Sequence, residues 1–238
     1  HNIEAIESAL SKAAEWDGPI VVHLLTEKGR GFKAAVDDNM KLHDYKVPPK
    51  LDDEYVPTMS FTESFSRSLV EVAEADERIV ALTAAMAGPT GLLPFQQRFP
   101  DRFFDVGIAE QHEVTAAAGM AMGGLKPVVC VYSTFFSRAF DQANLDVGLH
   151  GLPVVLVLDR AGITGDDGPS HHGILDMSLS LSIPGMTVFA PSSAEEVPVM
   201  LRSALSLTSP TVLRFPKTLP QPLDGVVGNG LAARRIRE

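Results

Sequence analysis

Gly107-Ile108-Ala109-Glu110-Gln111-His112 lies between a short apolar run, Phe103–Val106, and a segment of small residues, Val114–Ala121. The apolar run predicts a buried strand, and the small residues predict a helix against which another surface can pack closely. Glu110 then stands where a strand ends and a helix begins, which is where open α/β sheets place their ligand sites. Alone, this glutamate needs no function, because negative charge is favourable at any helix start.

The composition limits the classes of function. The chain has 238 residues, a net charge of −10 and 45% hydrophobic residues. The negative charge argues against nucleic acid or an anionic membrane as the main partner. The single cysteine, Cys130, lies in an apolar run, which predicts a buried core residue and suits a reducing compartment. Because no apolar run approaches the roughly 20 residues of a membrane span and no signal peptide is visible, we expect a cytoplasmic protein.

Alternating apolar runs and helical patterns predict an α/β fold with a parallel sheet. Six strands are expected, at residues 79–82, 103–106, 128–132, 154–158, 187–190 and 211–215. Such continuous apolar strands are typical of a sheet that helices cover on both faces. Capping boxes at Ser60 with Glu63 and at Ser192 with Glu195 predict the starts of two helices.

The ends of the chain predict an excerpt of a longer polypeptide. Residues 1–33, with a helical face from Ile3 to Ala14 and a strand at Ile20–Leu25, are interpreted as the C-terminal remnant of a preceding domain. Residues 34–58 lack periodicity and are interpreted as a linker. Residues 59–222 are expected to form the main domain, and residues 223–238 a linker to a further domain.

Four further polar motifs follow predicted strands, at the sheet edge where Glu110 is expected. They are Tyr132–Phe135 with Arg138, Asp159–Gly162, Gly165–Gly173 and Leu213–Lys217. Each alone has a structural explanation: Arg138 on an exposed helix face, Arg160 pairing with Asp159, and His171 at a helix start. Together with Glu110, three arginines, a histidine and an aspartate converge on one crevice of an acidic protein. A purely structural role explains that convergence poorly.

The motifs GIAEQH, YSTF-x-x-R, DRAG, the glycine-rich loop and RFP resemble, in order and rough spacing, the 1-deoxy-D-xylulose-5-phosphate synthase family. The resemblance covers essentially the whole chain and implies a thiamine-diphosphate-binding fold. Residues 1–33 would end the diphosphate-binding domain, and residues 59–222 would be the pyrimidine-binding domain. The implied activity is a thiamine-diphosphate-dependent transferase that condenses pyruvate with glyceraldehyde 3-phosphate, releasing CO2. This is the first step of non-mevalonate isoprenoid synthesis, and it also supplies thiamine synthesis.

The resemblance implies roles for the residues that contact the cofactor. Glu110 would contact N1′ of the aminopyrimidine and so promote the proton shift that activates the cofactor. Phe135 would stack on the aminopyrimidine ring, and Phe32 would lie near the cofactor. The alternative for Phe32 is a turn residue that packs on the sheet.

Other residues are implied to bind the substrates. Arg160 and Arg214 would clamp the phosphate of glyceraldehyde 3-phosphate, and Arg138 would lie by the carboxylate of pyruvate. The acceptor site would be lined by three residues that handle hydroxyl groups and protons, Tyr132, Asp167 and His171. His43 would lie near the reacting carbons, although an exposed histidine without a role is an equally good interpretation.

The family pattern is incomplete in this chain. The Gly-Asp-Gly segment with a downstream Asn, which holds magnesium and diphosphate in the family, is absent. The Mg²⁺ ligands are therefore expected in a missing N-terminal part, none is assigned here, and the excerpt alone is not expected to be active. The resemblance also implies a homodimer. The alternatives are a fragment of a transketolase or of a 2-oxo-acid dehydrogenase β-subunit, or a non-catalytic homologue.

Overall fold

The computed structural model describes residues 2–38 and 59–220, and the chain divides into two compact units, residues 1–52 and 53–238. In the first unit, α1 spans Ile3–Ala14 and α2 spans Lys33–Asp37. The side chain of Asn2 accepts a hydrogen bond from the Ala5 amide at 3.1 Å and so caps α1. The predicted first helix is confirmed.

The predicted strand Ile20–Leu25 is wrong, because residues 20–25 form no strand. Val21 is 91% exposed and Leu25 is 82% exposed. A strand needs a neighbouring strand to satisfy its backbone groups, and the described residues of this unit supply none. An apolar run predicts the tendency to pair but does not supply the partner.

The described residues of the second unit form one parallel sheet of six strands, and all six lie where the apolar runs predict them. The strands are β1 (Ile79–Thr83), β2 (Phe103–Asp105), β3 (Lys126–Tyr132), β4 (Val155–Asp159), β5 (Thr187–Phe189) and β6 (Thr211–Arg214). Their order across the sheet is β2-β1-β3-β4-β6-β5. In the middle of the sheet, Ala81 pairs with Phe103 on one side and with Val128 on the other.

Among the described residues of the second unit, six α-helices precede or connect these strands. They are α3 (Phe61–Ala75), α4 (Leu93–Arg98), α5 (Glu110–Met122), α6 (Phe140–Gln142), α7 (Asp176–Ser182) and α8 (Glu196–Ser206). A π-helical segment, Ala143–Gly148, follows α6, and short 3₁₀ segments lie at Pro100–Arg102, Phe135–Ala139, Gly165–Asp167 and Pro169–His171. No helix in the described residues is both long and apolar enough to span a membrane.

Alternate residues of the strands fill two separate cores, one on each face of the sheet. On one face, Cys130 of β3 lies in the cluster with Phe65 of α3 and Leu201 of α8. On the other face, Val131 of β3 lies in the cluster with Ala117 of α5. The helices therefore cover both faces, as expected, and Cys130 is the buried core residue that its apolar run predicts. Fully burying one leucine of this kind contributes about 1.5–3 kcal/mol.

One of the two predicted capping boxes is confirmed. The Ser60 hydroxyl accepts from the Glu63 amide at 3.1 Å, while the Glu63 carboxylate accepts from the Ser60 amide at 2.8 Å. The prediction that Glu195 reaches back to Ser192 is wrong, because Glu196 makes that contact, at 2.8 Å to the amide and 2.7 Å to the hydroxyl. The turn before α8 adds one residue to the spacing, so Glu195 becomes the N-cap.

The strand order creates a crevice at one edge of the sheet. From β1 the chain crosses to β2 on one side, and it then returns to place β3 on the other side of β1. Open α/β sheets bind ligands where successive connections leave in opposite directions, outside the carboxyl ends of the strands. The segments that follow β1, β2, β3, β4 and β6 all meet this edge.

Candidate active site

The turn before α5 is held in place by Asp105, the last residue of β2. Its carboxylate accepts from the Gly107 amide at 3.0 Å and from the Ala85 amide at 2.8 Å, which ties the ends of β2 and β1 together. Gly107 has φ +72°, a left-handed conformation that glycine adopts without steric cost. The turn delivers Glu110 as the first residue of α5, only 3% exposed.

Arg138 pairs with Glu110. Its Nη1 lies 2.8 Å from Glu110 Oε1, and its guanidinium carbon lies 4.8 Å above the centre of the Phe135 ring. The Arg138 side chain is 49% exposed whereas that of Glu110 is 4% exposed, so the arginine approaches the buried carboxylate from the solvent side. Arg138 thus lies on an exposed helical segment, as its structural explanation expects, and it also pairs with Glu110.

Three rings from two segments form a cluster beside this ion pair. Tyr132 and Phe135 are stacked with centroids 5.7 Å apart and an interplanar angle of 11°. His171, from the glycine-rich loop, meets both rings by an edge, with centroid distances of 6.3 Å to Tyr132 and 5.5 Å to Phe135. His171 Nδ1 lies 2.9 Å from the hydroxyl oxygen of Ser170, which fixes the orientation of the imidazole.

Arg160 extends the same cluster from the end of β4. Its guanidinium carbon lies 4.3 Å from the centre of the Tyr132 ring, within the range of a cation–π contact. Its Nη1 donates to the Pro89 carbonyl at 2.6 Å and lies 3.1 Å from Asp159 Oδ1. The backbone of Arg160 is left-handed, with φ +62°, a strained conformation that tends to occur at functional sites.

Asp159 is the buried counter-charge of Arg160. It is 1% exposed and accepts a hydrogen bond at 2.7 Å from Thr62, the second residue of α3. Burial raises the pKa of Asp159, while Arg160 and the Thr62 hydroxyl act in the opposite direction. The pairing of Arg160 with Asp159 that the sequence allows is therefore present, and it coexists with the contact to Tyr132.

The glycine-rich loop is pinned against the end of β4 by a pair of backbone hydrogen bonds. Gly162 and Gly173 each donate to the other's carbonyl, both at 2.8 Å. A Cβ at position 173 would lie 2.1 Å from Ser133 Oγ and 2.7 Å from the Arg160 carbonyl oxygen. The loop can approach Ser133 and Arg160 this closely only because residue 173 is glycine. This contact fixes the position of His171, two residues earlier.

A second group of ion pairs lies at the end of β6. Arg214 donates to both oxygens of Asp176, from Nε at 2.7 Å and from Nη2 at 3.3 Å. Lys217 Nζ donates to Asp167 at 2.8 Å, and both side chains are largely buried. These two pairs connect β6 to α7 and to the glycine-rich loop.

The structure thus brings together six of the residues predicted for the site in one continuous series of contacts. The series contains Glu110, Arg138, Phe135, His171, Tyr132 and Arg160. Arg214 and Asp167 lie in the separate ion pairs at the end of β6. Phe32 belongs to the first unit and is 45% exposed after a turn at Gly29, and His43 lies outside the described residues.

Two acidic residues of this region, Asp176 and Glu113, do not stand out in the sequence. Asp176 begins α7, far along the chain from its partner Arg214, so no local pattern indicates the pair. Glu113 is 0% exposed and lies one helical turn after Glu110. The available signal for Glu113 is helical phase, because it shares its stripe of α5 with the buried residues Ala117 and Ala121.

The described residues provide no metal site of their own. Within residues 2–38 and 59–220, no three His, Cys, Asp or Glu side chains come together in a way that could hold a metal ion. Apart from Glu113, the acidic residues described above are instead paired with arginine, with lysine or with backbone amides. This arrangement suits the binding of anionic groups by arginine.

Curated relatives align with nearly the whole chain. A protein of Corynebacterium diphtheriae called 1-deoxy-D-xylulose-5-phosphate synthase is 51% identical over 228 residues, covering 94% of this chain and 36% of the relative. A protein of the same name in Mycobacteroides abscessus is 49% identical over 242 residues, covering 100% of this chain and 37% of the relative. The chain thus spans just over a third of the length of these relatives.

Solved structures share the fold. A split-gene transketolase, described as an inactive β4 tetramer, superposes with a TM-score of 0.62 at 28% identity, over 74% of this chain and 56% of that one. The transketolase of Leishmania mexicana superposes with a TM-score of 0.64 at 20% identity, over 74% of this chain and 28% of that one, which shows the fold alone. The model of the transketolase pyrimidine-binding domain matches residues 57–222. This chain therefore belongs to the transketolase pyrimidine-binding domain family, and its parallel sheet is a thiamine-diphosphate-binding fold.

Proposed function

We propose that the full-length protein is a 1-deoxy-D-xylulose-5-phosphate synthase, which joins pyruvate to glyceraldehyde 3-phosphate with loss of CO2. The identity to curated relatives of that name, 51% over 94% of the chain in one case, supports this activity. Because the chain covers 36% of that relative, the substrates and the activity are proposed for the whole protein.

The position of Glu110 carries the proposal. A nearly buried carboxylate stands at the start of α5, and its partner Arg138 also lies over the partly buried ring of Phe135. These residues fit an aminopyrimidine, because the carboxyl group can hydrogen-bond a ring nitrogen while the flat face of Phe135 packs on the ring. When bound, thiamine diphosphate supplies the carbon nucleophile that attacks the substrate carbonyl.

Each residue of the cluster then has a defined task. Glu110 exchanges a proton with N1′ of the aminopyrimidine, and low exposure keeps water from competing for that hydrogen bond. Arg138 is half-exposed and can turn from Glu110 to the carboxylate of an incoming pyruvate. Tyr132 and His171 line the acceptor side, where their polar atoms can hold the hydroxyl groups of the aldehyde or move its proton.

Arginines on two neighbouring strands suit the phosphate of the acceptor. The Nε of Arg160 is buried without a hydrogen-bond partner, so a donor remains for a phosphate oxygen. Arg214 is the last residue of β6, the strand beside β4, and pairs with Leu158 in the strand register. It therefore stands next to the segment after β4 that carries Arg160. Asp167, Phe32 and His43 remain proposed site residues whose contacts with substrate or cofactor depend on parts of the protein outside the described residues.

The remaining features are proposed on the family pattern alone. Mg²⁺ does not fit the described residues, because they hold no cluster of metal ligands, so its ligands are assigned to another part of the protein. Residues 1–33 are assigned to the diphosphate-binding domain, residues 34–58 and 223–238 to linkers, and residues 59–222 to the pyrimidine-binding domain. A homodimer in the cytoplasm completes the proposal.

The decisive experiment supplies the full-length protein with thiamine diphosphate, Mg²⁺, pyruvate and glyceraldehyde 3-phosphate, and measures the deoxy-sugar phosphate and CO2. We expect both products in equal amounts, and a nearly complete loss in Glu110→Ala although the cofactor still binds. Glu74→Ala, on the exposed side of α3, is the matched control and should keep its activity. Transfer between sugar phosphates without use of pyruvate would show a transketolase instead, and full activity of Glu110→Ala would refute the proposed site.

A further inference from the structure

Glu113 is a buried acid that the proposed reaction does not use. It lies in the first turn of α5, is 0% exposed, and neither of its carboxyl oxygens has a hydrogen-bond partner. Transferring an ionised carboxylate into such a place without a partner is so unfavourable that the group takes up a proton instead. The geometry therefore calls for a neutral carboxylic acid at this position.

The charges around Glu113 point the same way. The titratable or charged groups on α5 and on the elements packed against it are Glu110, His112, Asp105, Lys126, Cys130, Tyr132, Arg138, Asp141 and Asp146. Of the two basic side chains, Arg138 pairs with Glu110, and Lys126, at the start of β3, pairs with Asp76. Burial, followed by the charges of Glu110 and Asp105, raises the pKa of Glu113 to about 9, and the Cys130 backbone opposes this only weakly.

Glu110 and Glu113 are coupled by their spacing. Residues three apart on a helix are neighbours on its surface, so the two carboxyl groups share one side of the first turn of α5. Asp105 adds a third acid that acts on Glu113, whereas Arg138 is paired with Glu110. An additional negative charge on Glu113 would repel the Glu110 carboxylate and compete with it for Arg138.

We propose that Glu113 is a positioning residue for Glu110: as a neutral acid it adds no negative charge beside Glu110, and so leaves the Glu110 carboxylate in place beside Arg138, able to exchange a proton with the cofactor. The inference rests on the proposed thiamine-diphosphate chemistry for its consequence. The neutrality of Glu113 does not depend on that chemistry. When Glu113 ionises, its charge repels the Glu110 carboxylate and competes for Arg138, so Glu110 is displaced and activation of the cofactor slows.

The first measurement uses the full-length protein without cofactor or substrate. Thermal unfolding is followed from pH 5 to pH 10 for the wild type, for Glu113→Gln, whose amide cannot ionise, and for the exposed control Glu74→Gln. We expect the wild type to lose stability relative to Glu113→Gln as the pH rises towards 9, while Glu74→Gln follows the wild type. If Glu113→Gln does not fold, Glu113→Met provides a neutral side chain of similar length. A constant difference at all pH values would overturn the proposal, because Glu113 would then carry a charge in the folded protein.

The second measurement reports on Glu110. The exchange of the reactive thiazolium C–H of bound thiamine diphosphate for deuterium is followed by NMR between pH 6.5 and 9.5. We expect the exchange rate of Glu113→Gln relative to the wild type to rise roughly three- to tenfold over this range, since ionisation slows the wild type alone. If the deuterium-exchange rates of the two proteins change with pH in parallel while their unfolding curves differ, Glu113 has a structural role only, and the proposal is overturned.

A third variant keeps the test independent of the proposed activity. Glu110→Gln removes the largest of the negative charges that raise the pKa of Glu113. In the cofactor-free protein, the loss of stability with rising pH should therefore end at a pH roughly one unit lower than in the wild type. An unchanged profile would mean that the two acids are not coupled. If the protein binds the cofactor but forms no deoxy-sugar phosphate, the proposed function fails while these three outcomes still decide the role of Glu113.

Discussion

Replacing Gly173 by alanine tests the contact that holds the glycine-rich loop against the site. The new Cβ would lie 2.1 Å from Ser133 Oγ, 2.4 Å from Ser133 Cβ and 2.7 Å from the Arg160 carbonyl oxygen. Rotation of the Ser133 side chain can move its hydroxyl, but the other two atoms are fixed by the backbone. The Ser133 amide donates to the Asp159 carbonyl at 2.7 Å, so the segments after β3 and β4 cannot easily separate.

The expected loss is that of an overpacked core position, about 1–3 kcal/mol in the free energy of unfolding. For a domain of this size, each kcal/mol corresponds to a fall of roughly 2–4 °C in the unfolding temperature. Because His171 lies two residues before Gly173, the same shift should move its ring away from Phe135 and Tyr132. We therefore expect the requirement for glyceraldehyde 3-phosphate to rise more than that for pyruvate.

Thermal unfolding and steady-state kinetics of the full-length protein measure these two effects. Ser133→Ala is the control, because its buried hydroxyl has no hydrogen-bond partner and its removal should be nearly neutral. Combining both changes should not restore the stability of Gly173→Ala, since the Cβ of residue 133 and the Arg160 carbonyl remain in place. An unchanged unfolding temperature in Gly173→Ala would refute the close approach on which this reasoning depends.

Three further predictions concern charged residues. Arg214→Ala should lower kcat/KM for glyceraldehyde 3-phosphate by the equivalent of roughly 2–4 kcal/mol, and kcat/KM for pyruvate much less. Equal losses for both substrates in steady-state kinetics would assign Arg214 to the fold. Arg160→Ala should lower the unfolding temperature, because it leaves the buried Asp159 without its cation, at a cost of about 3–5 kcal/mol in the free energy of unfolding. An unchanged thermal transition would contradict this. The pKa of Glu113 is about 9 in the folded protein against an ordinary value of 4.5, so its contribution to stability is complete below about pH 4.5 and is lost as the pH rises to about 9. Relative to Glu113→Gln, the wild type should lose stability with a slope that approaches ~1.4 kcal/mol per pH unit in denaturant titrations, and equal slopes in the two proteins would disprove it.

The sheet and its functional edge could be predicted from sequence because their signals are local. Each strand is an apolar run, and polar residues that follow parallel strands must meet at one edge of the sheet. The placement of Glu110 follows from that rule, as does the convergence of Tyr132 and Arg160. The capping box of Ser60 is equally local, since both partners lie within one helical turn.

Other features depend on contacts that no local pattern encodes. Arg214 pairs with Asp176 and Lys217 pairs with Asp167. Both ion pairs depend on the position of β6 beside β4, which brings distant parts of the chain together. The burial of Glu113 could not be predicted for a different reason: an acidic residue in a helix is ordinarily expected on the solvent side. The false strand at residues 20–25 shows the converse, since apolar composition is present there without a strand to pair with.

The strand order also has a consequence for how this unit folds. Its central pairs join residues far apart in the chain, as in Ile79 with Lys126 and Val155 with Thr211, while the edge strands β2 and β5 have three residues each. Forming such pairs requires long loops to close before any contact stabilises them, so acquisition of the sheet should be slow and should expose apolar strands in the meantime. The crevice that contains Glu110 is built from the ends of those same strands. Refolding yield should therefore fall as protein concentration rises, and recovery of the site should follow sheet formation without preceding it.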